Sequence, residues 1–531
     1  MRNIAEKILN FNLKVYISSL IKKANTPFFF SLIITFILLN IIFLYHGTHF
    51  LFGDHDWKYL KSGLHLNAGL FEGRFTQFVF IKLLSNSQIY PIINNFFGFL
   101  GFSLGISLLA KYWQIPNNKR SYIIFSLFLA VTPYILSFMY FAFLVIPCLT
   151  WNAIIVSALI LSSKEQVFSL KITLLSALLF TFALGGYPPV INLFLTALTT
   201  KIFLDLFNST ITIKELIKNY RYTIINFVLG VIIYKLIIIY FTQTGAINSS
   251  YYNLQTISIN EYPSKFLLIT KDLFKQFFIT LPFITISYKT LTFIIITLAT
   301  THIIFTKQKS NKRILSILAF IAIFYSALVT LFLSPSIKET EFSPRIDFFG
   351  LLYVYGATFA VCLKSNKKYL INLSTLFAFS CIFINIQSLF DAQKVWKLGF
   401  DAETNFYKRI ERQINNQQTF NKQGRYIIVQ GGSPSFRPRF YHQKHSIKSD
   451  DLLNVSYVPG MNSGVMLNYY NSPEYADTTS FVYTFMPDDA AKNFLNQAKA
   501  WPSKQSISVG NYWIMLILTP TGLNDLRSRY L

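Results

Sequence analysis

Long apolar runs separated by short basic turns fill the first 390 residues of the chain. The first run covers about residues 27–45, close to the roughly 20 residues that a helix needs to cross a hydrocarbon core. Further runs lie at about 92–110, 121–137, 143–162, 168–184, 189–207, 223–242, 288–306, 314–334, 347–363 and 369–390. The pattern predicts a mainly α-helical, polytopic membrane protein with about eleven transmembrane helices.

The turns between the predicted spans alternate in charge. One set contains Lys111, Lys119 and Arg120 among other basic residues, whereas the opposite turns at 139–141 and 185–189 carry no charge. Because Lys and Arg are retained on the cytoplasmic side, we expect the basic turns to lie inside. Residues 1–26 form a basic amphipathic segment that we expect on the inner leaflet as a retained cytoplasmic anchor. Eleven spans then leave the C-terminus outside.

Three loops and a terminal domain are predicted on the external side. The loops cover residues 46–91, 243–287 and 335–346, and helical spacing of apolar residues in the first two predicts interfacial helices there. Residues 391–531 hold 11 of the 23 acidic residues of the chain, so they form a domain in water. Apolar stretches at 425–430, 481–485 and 512–517 predict strands, and 488–500 predicts a helix, which together indicate a small α/β domain.

Composition narrows the class of protein further. The 531 residues are 53% hydrophobic and 13% charged, which fits a membrane protein and excludes an ordinary soluble one. The formal net charge of +25 comes mainly from the basic turns, so we interpret it as a topology signal and expect no nucleic acid partner. Cys148, Cys362 and Cys381 show neither a metal nor a disulfide spacing.

Two acids, Asp54 and Asp56, stand where the chain leaves the first predicted span. Apolar surroundings raise the pKa of a carboxylate, so either residue is a candidate general base for a hydroxyl that attacks a lipid-linked substrate. Two carboxylates also suit Mg²⁺ or Mn²⁺, although they are too few to specify a metal. The third interpretation is that they are ordinary acids of an aqueous turn.

Two arginines on the predicted outer side are candidates for binding phosphate. Arg74 follows the two acids on the same loop, and Arg345 stands at the mouth of the tenth predicted span. A guanidinium pairs with phosphate through two parallel hydrogen bonds. The alternatives are an interfacial anchor for Arg74 and a solvated turn for Arg345. Tyr187, on the 185–189 turn, can stack on a sugar, but a tight bend is the more common use of such a turn.

Five short motifs follow one another along the chain. They are Asp54-His55-Asp56-Trp57, Gly73-Arg74-Phe75, Pro133-Tyr134, Gly186-Tyr187 and Pro344-Arg345. In the order of these motifs, and in the side of the membrane on which they are predicted, the chain resembles the type II, serotype-converting family of membrane glucosyltransferases that modify bacterial O-antigen. That family belongs to the polyprenyl-phosphate-sugar-dependent enzymes of the large C-type (GT-C) glycosyltransferase fold. The chain departs from the family pattern at His55, between the acids, and at Pro188, after the tyrosine.

The resemblance implies a function and a set of site residues. The expected reaction moves a glycosyl, in particular glucosyl, residue from a polyprenyl phosphate to a surface glycan such as O-antigen, outside the bacterial inner membrane. The implied roles are catalytic for Asp54 and Asp56, donor phosphate binding for Arg74 and Arg345, and sugar or acceptor binding for Trp57, Tyr187 and Glu341. A divalent cation (Mg or Mn) at the two aspartates is an open option, and no nucleotide cofactor is expected.

Two other functions remain as alternatives. A flippase or transporter for lipid-linked glycans needs ionisable residues at mid-membrane and related halves, whereas the predicted spans are nearly free of charge and show no repeat. An O-antigen polymerase or ligase would use the same acids and arginines. Product length separates that alternative, because a transferase adds a single sugar and a polymerase lengthens a chain.

Overall fold

A computed structural model of the chain describes most of the predicted membrane part and much of the C-terminal domain. The described residues are 26–49, 51, 73–139, 145–164, 168–208, 211–246, 259–278, 284–306, 308, 310–333, 344–421, 425–432, 474–477 and 487–531. Asp54, Asp56, Trp57 and Glu341 lie outside these ranges, as does the predicted strand at 481–485. Arg345 is described only as a helical residue.

Helices make up nearly all of the described chain before residue 421. They are α1 (Pro27–Ile42), α2 (Leu44–Thr48), α3 (Gln77–Ser85), α4 (Pro91–Tyr112), α5 (Lys119–Ala130), α6 (Leu136–Met139), α7 (Val145–Ser162), α8 (Leu170–Leu184), α9 (Val190–Asn208), α10 (Ile213–Gln243), α11 (Tyr262–Phe278), α12 (Ile286–Phe305), α13 (Ser310–Ser326), α14 (Val329–Leu333), α15 (Pro344–Leu363) and α16 (Lys368–Asn415). The predicted mainly helical architecture is confirmed.

Five described helices are long and apolar enough to cross a membrane, namely α4, α9, α10, α12 and α16. Four shorter apolar helices accompany them, at Pro27–Ile42, Leu149–Ser162, Leu170–Leu184 and Gly350–Leu363. Several apolar helices of this kind are consistent with a multi-pass membrane protein. The count of eleven spans stays a prediction.

Helix α10 illustrates how local chemistry extends an apolar span. The span was expected from about residue 223, but the helix begins at Ile213. Thr212 and Glu215 form a reciprocal capping box, in which the Glu215 carboxylate accepts a hydrogen bond from the Thr212 backbone N–H at 2.8 Å. Such a box satisfies two orphan donors of a helix start. Further along, Ile232 and Leu236 are half exposed, as expected of side chains that face lipid.

Two predicted spans are interrupted in the structure. The span expected at 121–137 ends at Ala130, because Pro133 starts a short 3₁₀ turn at Pro133–Ile135 and a proline cannot continue the hydrogen-bond ladder of a helix. The span expected at 314–334 stops at Ser326 and resumes at Val329. Gly350 packs onto this break, where an added Cβ would lie 2.2 Å from the Ala327 carbonyl oxygen.

Helices also occupy the two long loops that were predicted to be external. Helix α3 lies in the first loop and α11 in the second. One side of α11 packs on α13, because the Phe266 ring stacks on Tyr325 with a centroid separation of 5.0 Å. Leu267 and Phe274, on the same helix, are exposed. This two-sided pattern is typical of a helix that lies on a membrane surface.

The last helix of the membrane part runs past the predicted domain boundary. A span was expected at 369–390 with a separate domain from residue 391, but α16 continues without interruption to Asn415. Trp396 and Tyr407, beyond that boundary, are almost fully buried. The C-terminal part is therefore joined to the membrane part by a continuous helix.

The C-terminal part contains a small mixed sheet. Its elements are β1 (Arg425–Gly431), β2 (Glu474–Asp477), α17 (Asp489–Gln497), β3 (Ile507–Val509), β4 (Trp513–Ile517) and α18 (Pro520–Tyr530). The strand order is β2-β1-β4-β3, with β1 parallel to both neighbours and β3 antiparallel to β4. Strands β1 and β4 and helix α17 match the prediction, whereas β2, β3 and α18 were not predicted. Trp513 is buried and donates a hydrogen bond to Asp488 at 3.0 Å.

A side chain of α16 holds the break between α1 and α2. The Gln393 amide nitrogen donates to the Ile42 carbonyl at 2.9 Å, and its oxygen accepts from the His46 backbone N–H at 3.0 Å. These are a helix end and a helix start, which have no partner inside their own helices. Burial lowers the pKa of the His46 imidazole to about 4, so the ring is neutral at pH 7. Its Nδ1 accepts from the Asn95 amide at 3.2 Å.

We expect Gln393→Leu to destabilise the protein markedly. The substitution keeps the approximate size of the side chain but leaves two buried backbone groups unsatisfied, and each costs about 1–3 kcal/mol. Thermal unfolding of the purified full chain in detergent measures the effect. Gln418→Leu, at an exposed position, is the matched control and is expected to change stability by less than about 0.5 kcal/mol. Equal stability of the two variants would contradict the role of Gln393.

Candidate functional site

The structure joins two of the motifs that the sequence singled out. The Thr76 backbone N–H donates to the Gly185 carbonyl at 2.9 Å, and the Thr76 hydroxyl donates to the Phe182 carbonyl at 2.6 Å. Both acceptors belong to the C-terminal end of α8, where carbonyl groups lack partners within the helix. Residues 73–76 are therefore docked on the turn that contains Tyr187. We call this region the Arg74 site.

Two consecutive glycines make the docking possible. A Cβ added to Gly185 would lie 2.4 Å from the Phe75 ring, and one added to Gly186 would lie 1.9 Å from the Trp151 indole. Side-chain atoms do not approach this closely, so any other residue at either position has to displace an aromatic ring. The Gly-Gly pair thus brings Phe75 and Trp151 against the backbone of the turn.

Arg74 and Tyr187 are in direct contact. The Arg74 guanidinium carbon lies 5.3 Å from the centroid of the Tyr187 ring, within the range of a cation–π interaction. The same ring is stacked on Trp151, with centroids 5.8 Å apart and planes 5° from parallel. Tyr187 is only 2% exposed, so its ring contacts Arg74 and Trp151 and is not open to solvent. A ligand would therefore meet the guanidinium before the tyrosine ring.

Further hydrogen-bond donors lie in the same region. Gln77 and Trp151 are buried, and the Gln77 amide nitrogen and the Trp151 indole nitrogen have no hydrogen-bond partner within the described part of the chain. Buried donors without partners are rare and call for an explanation. Both side chains are buried, whereas Arg74 is partly exposed, so of these three side chains it is the guanidinium that can meet an anion. Neither Gln77 nor Trp151 stands out in the sequence; the one available signal for Trp151 is a tryptophan inside an apolar run.

An apolar groove opens next to Arg74. It has a volume of about 500 Å³ and is lined by Phe75, Ile233, Leu236, Ile237, Tyr240 and Phe241. Five of these residues belong to α10, and Phe75, which directly follows Arg74, forms the remaining wall. The Phe75 ring lies 6.0 Å from the Tyr234 ring and 6.4 Å from the Phe241 ring. A cation beside an apolar groove matches a ligand with an anionic head and a hydrocarbon chain.

The remaining predicted site residues are placed less completely. Asp54, Asp56, Trp57 and Glu341 lie outside the described residues, and Arg345 is the second residue of α15 with no described side chain. The structure brings Arg74 and Tyr187 together, and their relation to the other candidates stays a prediction. Among the described residues, no group of three or more His, Cys, Asp or Glu side chains could hold a metal ion.

Comparison of the chain with protein-family models, with curated proteins and with solved structures finds no match in any of the three. A functional proposal therefore depends on the residues of this chain, on the geometry of the Arg74 site and on the short motifs described above.

We expect Gly186→Ala to disturb the Arg74 site. The new methyl group would overlap the Trp151 indole, and overpacking of a buried position costs about 1–3 kcal/mol. Thermal unfolding and tryptophan fluorescence measure the loss of stability and the displacement of the indole. Gly245→Ala is the control, because no atom lies within 4 Å of a Cβ added there. An alanine at that position is destabilised only by the positive φ, by about 1 kcal/mol. An unchanged fluorescence spectrum in Gly186→Ala would contradict the close contact.

Proposed function

We propose that this protein is a multi-pass membrane glycosyltransferase of the GT-C type. It transfers a glycosyl residue, in particular glucosyl, from a polyprenyl phosphate to a surface glycan such as O-antigen on the outer side of the bacterial inner membrane. The observation that carries the proposal is the Arg74 site, where a guanidinium stands beside an apolar groove on the loop that also contains Asp54 and Asp56.

The donor fits the Arg74 site by its chemistry. A polyprenyl phosphate sugar combines a long hydrocarbon chain, a phosphate and a sugar in one molecule. The groove between Phe75 and α10 suits the chain, and Arg74 suits the phosphate. The phosphate is the leaving group, so negative charge grows on it in the transition state, and a fixed cation there lowers the barrier. Arg345, at the start of α15, is the second candidate for this role.

The catalytic base belongs to the segment between two anchored points. Leu51 is buried, and its N–H is hydrogen-bonded to the His46 carbonyl at 3.4 Å, whereas residues 73–76 are docked on the 185–187 turn. Asp54 and Asp56 lie between these points in sequence, close to Leu51. One of the two deprotonates the acceptor hydroxyl, which then attacks the anomeric carbon as the bond to the phosphate breaks. The choice between Asp54 and Asp56 is open, as is a divalent cation at the pair.

We also propose a membrane topology of eleven spans. Eleven spans place the N-terminus in the cytoplasm, the loops at 46–91, 243–287 and 335–346 outside, and the C-terminal domain in the periplasm. The support is the alternation of basic and uncharged turns, together with the apolar helices described above. Trp57 and Glu341 keep their proposed roles in sugar or acceptor binding, whereas Tyr187, which is buried against Arg74 and Trp151, acts on a ligand through the guanidinium that it contacts.

We expect Asp54→Asn or Asp56→Asn to abolish most of the activity. Loss of a general base lowers the rate about 10²–10⁴-fold, and the residue with the larger effect is the base. The assay follows transfer from a radiolabelled polyprenyl phosphate sugar by the purified full chain. Glu261→Gln, in the second predicted external loop, is the control and is expected to stay active. Full activity in both aspartate variants would remove this mechanism.

Arg74→Gln is expected to lower kcat/KM for the donor about 10–100-fold, because a charge-assisted hydrogen bond contributes about 1.5–3 kcal/mol. Arg74→Lys keeps the charge but not the paired N–H groups, so we expect an intermediate value. Lys82→Gln, an exposed change of equal charge on α3, is the control. If all three variants match the parent protein, Arg74 does not bind the donor.

Mass spectrometry of the product distinguishes a transferase from a polymerase. A transferase adds a single sugar, whereas a polymerase makes a longer chain.

A further inference from the structure

We propose that the far end of the helix bundle carries a second anion site, which binds the phosphate of an anionic membrane phospholipid between Lys201, Lys364 and Tyr112. This inference is independent of the proposed glycosyl transfer. We call these three residues the Lys364 site. Tyr187 immediately precedes α9 and Lys201 lies near its other end, so roughly 20 Å of helix separates the two sites at 1.5 Å per residue.

Four helices end or begin at the Lys364 site. Tyr112 ends α4, Lys201 and Asp205 lie in the last turns of α9, Tyr220 is in the first part of α10, and Lys364 directly follows α15. The Trp113 indole N–H donates to the Ala197 carbonyl at 2.9 Å, which fixes the end of α4 against α9. Lys364 Nζ donates to the Trp113 carbonyl at 3.1 Å. These hydrogen bonds hold the helix ends, and the side chains that they carry, against one another.

Positive charge exceeds negative charge at this place. Lys201 forms an ion pair with Asp205 one turn further along α9, and the Tyr220 hydroxyl donates to the other oxygen of the same carboxylate at 2.5 Å. Lys364 has no salt bridge among the described residues, and its one hydrogen bond there goes to a neutral carbonyl. Lys201 and Lys364 therefore share one carboxylate, that of Asp205, and a partly buried ammonium whose charge is only partly balanced costs free energy. A bound anion would remove that cost.

The surroundings of Lys364 favour a ligand of negative charge. Burial lowers the pKa of the Lys364 ammonium to about 8, Lys201 acts in the same direction, and Asp205 opposes them. The group is therefore still mostly charged at pH 7. Lys111, Lys367 and Lys368 are exposed at the same end of the bundle, so an anion from the membrane meets a basic surface before it reaches Lys364.

Tyr112 supplies an independent observation. It is 5% exposed, and its hydroxyl has no hydrogen-bond partner in the part of the chain that the structure describes. Asp205, which pairs with Lys201, acts electrostatically on this hydroxyl, and the next residue, Trp113, accepts the hydrogen bond of Lys364, so Tyr112 belongs to the same group of helix ends. Because a buried hydroxyl normally finds a partner, an acceptor oxygen from outside the protein is expected here. A phosphate oxygen serves both this hydroxyl and the lysines.

A phospholipid is the source of phosphate that the location favours. The site lies at the end of the bundle where the basic turns are found, which we predict to be the cytoplasmic end. Basic pockets between membrane helices on the cytoplasmic side bind lipid head groups. Lys364 is half-buried and Lys201 almost fully buried, so the site opens to the surface through Lys364. The competing explanation is that Lys364 only caps the carbonyl end of α4, in which case no anion affects the protein.

The test titrates short-chain phosphatidylglycerol into the full chain in neutral detergent and follows the unfolding midpoint. We expect phosphatidylglycerol to raise the midpoint and phosphatidylcholine not to raise it. Lys364→Gln is expected to weaken the apparent affinity about tenfold or more, as for loss of a charge-assisted hydrogen bond. Lys368→Gln, an exposed lysine nearby, is expected to change it less than about threefold.

Tyr112→Phe separates ligand binding from a purely structural role. Its hydroxyl has no partner in the described protein, so removing it should leave the midpoint without lipid unchanged or higher, while the response to phosphatidylglycerol falls at least about threefold. In a second titration, inorganic phosphate replaces the lipid and the unfolding midpoint is measured again. If it raises the midpoint as well as phosphatidylglycerol does, the ligand is free phosphate and the lipid assignment is wrong. No preference for phosphatidylglycerol, or equal losses in Lys364→Gln and Lys368→Gln, would overturn the site.

Discussion

The structure depends on satisfying backbone groups where helices end inside an apolar protein. A bilayer offers no water to replace a missing hydrogen bond, so each such end needs a partner from the protein. Gln393 supplies both partners at the break between α1 and α2. Asn192 satisfies one backbone group at the start of α14, because it accepts from the Thr330 N–H at 2.9 Å, and it also donates to the Thr330 hydroxyl at 2.7 Å. In each case the partner is distant in sequence, so the cap also fixes the tertiary arrangement.

The Arg74 site follows from the same constraint. The end of α8 leaves carbonyl groups at Phe182 and Gly185, and Thr76 satisfies both. That docking brings Arg74 over Tyr187 and Phe75 to the edge of the groove on α10. The position of the Arg74 guanidinium thus depends on the hydrogen bonds of Thr76, two residues later. The two small residues at 185 and 186 are needed because the aromatic rings lie directly against the backbone.

The two proposed anion sites differ in how their charge is held. Arg74 lies over an aromatic face beside an apolar groove, which favours a ligand with a long chain and a phosphate that leaves during the reaction. Lys364 is held among helix ends, near a second lysine and a shared carboxylate, which favours a phosphate that stays bound. The first arrangement suits turnover and the second suits a resident lipid. Their separation along α9 keeps them chemically independent.

The spacing of apolar residues and the local helix caps in the sequence determined most of the helices. Both depend only on residues close together in the chain, as Thr212 and Glu215 are at the start of α10. Strands β1 and β4 were predictable for the same reason, whereas the three-residue β3 is stabilised mainly by its pairing with β4. The sequence also pointed to Arg74 and Tyr187, as members of two separate motifs. Only the tertiary structure decided that these two residues touch, that Gln77 and Trp151 join them, and that α16 continues past residue 390. Those features depend on packing and hydrogen bonds between residues far apart in the chain, which no local pattern records.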